Sequence, residues 1–125
     1  MCDTIEFQCH GDYGYPERRW LQFLILRVVC EKSTYGYEII KKIEELSEGI
    51  HKIKSGTMYT TLRRMEKEDF LKSVWKKSKT GPDNREYSIT KKGELFLKKW
   101  LEMILERKKM MEKMTRFYYE YFGDM

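Results

Sequence analysis

Cysteine and proline are both scarce in this chain. Cysteine occurs three times, at Cys2, Cys9 and Cys30, an odd number with no closely spaced pair, which argues against a disulfide framework and for a reducing compartment. Proline occurs twice, Pro16 where a helix can open and Pro82 in a turn, so long helices are not interrupted. Long apolar runs are missing too. The longest, Trp20 to Cys30, is broken by Gln22 and Arg27 and falls short of the roughly 20 residues that cross a bilayer, so no membrane partner is expected. Residues 1–15 are polar and acidic rather than basic and then apolar, so no export signal is expected and the cytoplasm is the expected location. The chain also lacks a P-loop, a GxSxG elbow, an HExxH pair and a nucleophile with a histidine partner, so neither an enzyme nor a cofactor is expected. No internal repeat or low-complexity linker divides it.

The 125 residues are 36% charged and carry a net charge of +5, and 14% aromatic residues with 8 methionines leave apolar surface for a partner. Charge is unevenly spread. Residues 50–92 hold 12 of the 25 basic residues against 5 of the 20 acidic ones, while residues 1–49 are net acidic. A basic middle third suits a segment that meets a polyanion.

Pro16 and Glu17 open a predicted first helix, apolar on most sides, that continues to Cys30. Ser33 or Thr34 is expected to cap a second, Tyr35 to Ser47, with Tyr37, Ile40, Ile43 and Leu46 on its apolar face and Gly49 as its stop. Ser55 is expected to cap a third helix reaching about Asp69, with Met58, Leu62 and Met65 inward and Thr57, Tyr59, Thr60, Thr61, Arg63, Arg64 and Lys67 outward. From Leu71 the period falls to two, with Leu71, Ser73 and Trp75 alternating against Lys72, Val74 and Lys76. After the Gly81-Pro82-Asp83-Asn84 turn a strand from Arg85 to Ile89 returns, giving a β-hairpin. Thr90 caps a last, long helix whose Phe96, Trp100, Met103, Met110, Met114, Phe117 and Tyr121 form a heptad seam, flanked by Leu97, Leu101, Ile104, Met111 and Tyr118. That face is wider than one small domain covers, and so predicts a second chain.

Three helices followed by a hairpin is the order of a winged helix-turn-helix, in which the third helix enters the major groove of double-stranded DNA. The expected class is thus mainly α with a small β-hairpin: a tail over 1–15, a DNA-binding domain over 16–90 and a dimerisation helix over 91–125. Arg63, Arg64 and Lys67 suit phosphates or guanine edges, and Thr57, Thr60 and Thr61 suit base edges. Tyr59 suits a phosphate oxygen. On the hairpin Lys72, Lys76, Lys77, Lys79 and Arg85 would follow the backbone or reach the minor groove.

Three stretches carry a resemblance: Tyr35-Gly36-Tyr37-Glu38-Ile39-Ile40, Ser55-Gly56-Thr57-Met58-Tyr59-Thr60-Thr61-Leu62-Arg63-Arg64-Met65-Glu66, and Gly81-Pro82-Asp83-Asn84-Arg85-Glu86-Tyr87-Ser88-Ile89-Thr90-Lys91-Lys92-Gly93. Together they resemble the signature stretches of the PadR family, the phenolic acid decarboxylase regulators, over roughly residues 20–95, and the single C-terminal helix looks like the family's smaller subgroup. The resemblance implies a homodimeric transcriptional regulator, usually a repressor, on a pseudo-palindromic operator. It implies DNA-facing positions Ser55, Thr57, Tyr59, Thr61 and Arg63, with Lys79 and Arg85 at the wing. Thr60 departs from the pattern, because the family often has proline there.

The expected dimer contact runs through Phe96, Trp100, Met103, Ile104, Met110, Met114, Phe117 and Tyr121. Some family members bind flat aromatic molecules between subunits, which makes a small aromatic effector a candidate partner and Trp20 with Trp100 its candidate slot. Packing in the core or interface is the competing reading of the same two residues. Cys2, Cys9 and His10 have ligand chemistry but match no standard spacing, so no metal site is assigned, and His51 reads as an exposed loop residue.

Overall fold

The computed structural model describes residues 18–78, 81 and 84–123. Pro16, the 1–15 tail with Cys2, Cys9 and His10, and Lys79 at the hairpin tip lie outside the described residues. Among those described, the order is α1 (Arg18–Glu31), β1 (Thr34–Tyr35), α2 (Gly36–Leu46), α3 (Ser55–Lys67), β2 (Leu71–Lys76), β3 (Asn84–Ile89) and α4 (Lys91–Phe122). The fold is mainly helical with a small antiparallel sheet, as expected from the sequence.

The core forms where α1, α2 and α3 meet the sheet. Ile25, Leu26, Ile39, Ile43, Met58, Leu62, Met65 and Leu71 are all fully buried. The inward face predicted for α3 is therefore the one that packs. On α2 the predicted face is turned by one position: Gly36, Ile39 and Ile43 are buried, whereas Tyr37 is 55% exposed and Leu46 also stands in solvent. Gly36 is the reason. Its bare Cα lets the Tyr59 ring of α3 close on the start of α2, in space that a Cβ would occupy.

The caps also differ from expectation. Thr34 and Tyr35 pair with Tyr87 and Glu86 of β3 instead of opening a helix, and the Ser33 hydroxyl lies 2.8 Å from that of Ser88. The hairpin is thus a three-stranded sheet of order β1-β3-β2, and α2 starts at Gly36 with no side-chain cap. Lys54, not Ser55, is the N-cap position of α3. That helix stops at Lys67, with Asp69 at a φ of 69° that turns the chain into β2, a conformation aspartate tolerates better than most residues.

Thr90 does cap α4, accepting a hydrogen bond from the Gly93 amide at 3.0 Å. Its hydroxyl also donates to the Asp69 carbonyl at 2.6 Å, and its amide donates to the Phe70 carbonyl at 3.1 Å. Lys92 donates from Nζ to the Glu68 carbonyl at 2.9 Å. The turn that ends α3 and the first turn of α4 are one hydrogen-bonded joint.

A column of rings then holds α4 on α1. Phe70 stacks on Phe96 at 4.6 Å, Phe96 on Phe23 at 5.0 Å and Phe23 on Trp100 at 4.4 Å, with Trp20 edge-on to Trp100 at 4.9 Å. From Leu101 to Gly123 every residue of the chain is exposed. No helix among the described residues is long and apolar enough to cross a membrane.

Candidate nucleic-acid interface

On α3, Ser55, Tyr59, Arg63 and Lys67 recur every four residues, so they form one slowly turning stripe that starts beside the buried row of Met58, Leu62 and Met65 at Ser55 and swings away from it toward Lys67. Thr57 and Thr60 flank it and are exposed. Thr61 is not part of this surface. It is only 7% exposed and its hydroxyl donates to the Thr57 carbonyl at 2.8 Å, leaving neither room nor a free donor for a base edge. Arg64 is half-buried, paired with Glu68 at 2.9 Å one turn on. Arg63 and Lys67 make no ion pair with any described residue.

The wing meets α3 through a compact polar link. Arg85 reaches the Glu66 carboxylate at 3.2 Å and donates from Nε to Ser73 Oγ at 2.8 Å, while Ser73 Oγ donates to Glu66 at 2.7 Å. Each polar group in this triangle serves two others, which fixes the angle between sheet and helix. Arg85, expected to meet DNA, thus has its charge held by Glu66. Lys76 lies 3.7 Å from Glu86 on the neighbouring strand, and Lys77 is exposed. Between helix and wing opens a cleft of about 570 Å³ lined by Arg63, Arg64, Glu66, Lys67 and Arg85.

Below the link, Tyr87 of β3 is buried, and burial raises its phenol above the ordinary value, with nearby Arg85 opposing that rise. The slot expected at Trp20 and Trp100 is one between subunits, and within one chain the two residues are in edge contact. The two rings touch, and the face of Trp100 is stacked on Phe23, so nothing flat fits between them within one chain. Phe96 and Trp100 likewise pack within the chain, whereas Met103, Ile104, Met110, Met114, Phe117 and Tyr121 are exposed. No cluster of histidine, cysteine and acidic residues able to hold a metal occurs among the described residues.

Reading the sequence alone misses Glu66, Ser73 and Gly36, the residues that aim the others. Gly36 and Glu66 lie inside the first two signature-like stretches, and that position was the available signal.

A family model for the transcriptional regulator PadR-like family matches residues 25–99, from the middle of α1 to the start of α4. The chain belongs to the PadR-like family of transcriptional regulators. The PadR-like fold is shared with the crystal structure of a PadR family transcription regulator from Clostridium difficile R20291, at 33% identity and a TM-score of 0.68, covering 77% of this chain and 98% of that one. The transcriptional regulator YqjI of Escherichia coli K12 is 27% identical over 109 residues, 83% of this PadR-like chain but 49% of YqjI. The Bacillus subtilis PadR solved in complex with operator DNA has the same fold, at 23% identity and a TM-score of 0.60 over 65% of this chain and 46% of that one.

Proposed function

We propose that this PadR-like regulator acts in the cytoplasm as a homodimer that binds a pseudo-palindromic operator and represses transcription until an effector releases it. The observation that carries the DNA-binding part is the exposed α3 stripe of Ser55, Tyr59, Arg63 and Lys67, flanked by Thr57 and Thr60, with two cations that make no ion pair among the described residues beside a wing rich in lysine. A helix presented this way fits the major groove, with threonine hydroxyls and Arg63 toward base edges and Lys67 toward phosphates.

The dimer rests on α4. Beyond its docked first turns it exposes Met103, Ile104, Met110, Met114, Phe117 and Tyr121, an apolar stripe of the kind that soluble proteins cover. A second copy covers it symmetrically and sets two α3 helices about one DNA turn, roughly 34 Å, apart. An effector that prefers another spacing of the long helices weakens DNA binding by its difference in affinity for the two spacings. Because Trp20 and Trp100 leave no gap between them, a flat aromatic effector would act where two chains meet rather than inside one.

Selection of bound sequences from a random duplex pool at two salt concentrations tests the reading. The expected result is an enriched inverted repeat. An unenriched pool whose binding vanishes at moderate salt would sink it, leaving a non-specific DNA-binding protein or a protein-interaction module.

A further inference from the structure

Strand alternation places Trp75 on the same face of β2 as the buried Leu71, yet Trp75 is 65% exposed. The sheet outruns the helix beneath it: Leu71 lies in the core and Ser73 meets Glu66, but no described apolar residue covers Trp75. The indole is nonetheless held. The Arg85 guanidinium lies 5.4 Å from its ring centroid, and Arg85 is itself fixed by Glu66 and Ser73. A large apolar ring left in solvent beside a positioned cation is surface whose burial favours binding.

The surroundings narrow what covers it. Lys72 and Lys76 stand on the other face of the strand, with Lys76 beside Glu86, and the cation at the ring itself is Arg85, so the occupant tolerates a positive charge at the indole. Arg85 faces both the indole and the basic cleft lined by Arg63 and Lys67. A DNA strand alternates anionic phosphates with apolar deoxyribose. In an intact duplex the base faces are stacked away, so the sugar is the apolar surface a wing can reach. We infer that Trp75 packs against a deoxyribose of the strand that runs through the cleft between α3 and the wing, while Lys67 takes its phosphates. This assignment rests on the DNA-binding reading above and adds an apolar contact to it.

The test uses the full chain and the duplex recovered by selection. Trp75→Ala is expected to bind about tenfold more weakly, from lost apolar burial, with an unchanged slope of log affinity against log salt, because a sugar contact releases no counterion. Lys67→Ala is expected to flatten that slope by about one. Adding duplex to the wild type is expected to change tryptophan emission, and Trp75→Phe, which keeps a ring beneath Arg85, to lose that change while binding nearly as well. Equal affinity of wild type and Trp75→Ala with unaltered emission would overturn the assignment and leave DNA binding standing. So would a salt slope that falls with the Trp75→Ala affinity, or a larger emission change with single-stranded than with duplex DNA, which would mean stacking on bases. Failure of the wild type to bind any duplex would instead remove the reading on which the assignment rests.

Discussion

A methyl group at position 93 would lie 2.8 Å from Ile89 Cγ1 and against the main-chain oxygen of Phe70, which cannot rotate away. Gly93→Ala is therefore expected to cost about 1–3 kcal/mol by overpacking, read as a lower thermal midpoint. Thr90→Ala removes a cap together with a hydroxyl that bridges to the Asp69 carbonyl, and should cost about 1–2 kcal/mol. Thr90→Ser should recover most of that. Tyr87 gives a pH signature. Below the ordinary phenol value, about 10, folded and unfolded chains both hold the proton and stability does not change with pH through this group. Above it the unfolded chain releases the proton while the buried phenol retains it, so stability falls as pH rises. Denaturant midpoints on either side of pH 10 should show a smaller alkaline decline for Tyr87→Phe than for the wild type. Arg63→Ala should lower specific DNA affinity by about 1–3 kcal/mol if Arg63 reads a base, and equal affinity for the selected and a scrambled duplex in the wild type would remove that role.

At the scale of elements, the wing's orientation depends on the Glu66–Ser73–Arg85 triangle. Glu66→Gln removes the charge that holds Arg85, and faster amide exchange along β2 and β3, with α3 unchanged, is the expected result. This triangle was not legible in the sequence, where Arg85 reads as one more wing cation, because spacing along the chain says nothing about a carboxylate nineteen residues back. α3 was legible: Met58, Leu62 and Met65 recur at helical period and are buried as expected. Thr61 was misplaced because periodicity cannot distinguish the edge of a buried face from the edge of an exposed one. The phase of α2 was misread for a related reason, since a glycine that packs tightly contributes nothing to an apolar pattern while exposed Tyr37 and Leu46 do. β1 spans two residues, too few for alternation to register. Alternation gave Trp75 its face but not what lies below that face.

At the scale of the molecule, the outer part of α4 supports nothing in the chain's own core, so charges placed there test association without disturbing the fold. Met110→Lys with Phe117→Lys should leave the thermal midpoint of a dilute sample near that of a monomeric domain and halve the mass measured by sedimentation equilibrium. A wild type that sediments as a monomer would remove the dimer. The same helix has a mechanical consequence. Its 32 residues extend about 48 Å, and only the first ten, to Trp100, are fastened to the core, by the joint at Thr90 and the ring column. A rod clamped near one end is a lever with unequal arms. A displacement of several ångström at its far tip reaches the clamp as a rotation of a few degrees, and the clamp is bonded directly to the turn that follows α3 through the Asp69 and Phe70 carbonyls. The helix thus gears a large, soft movement down to a small, stiff one, on the ångström scale at which a base-edge hydrogen bond is made or lost.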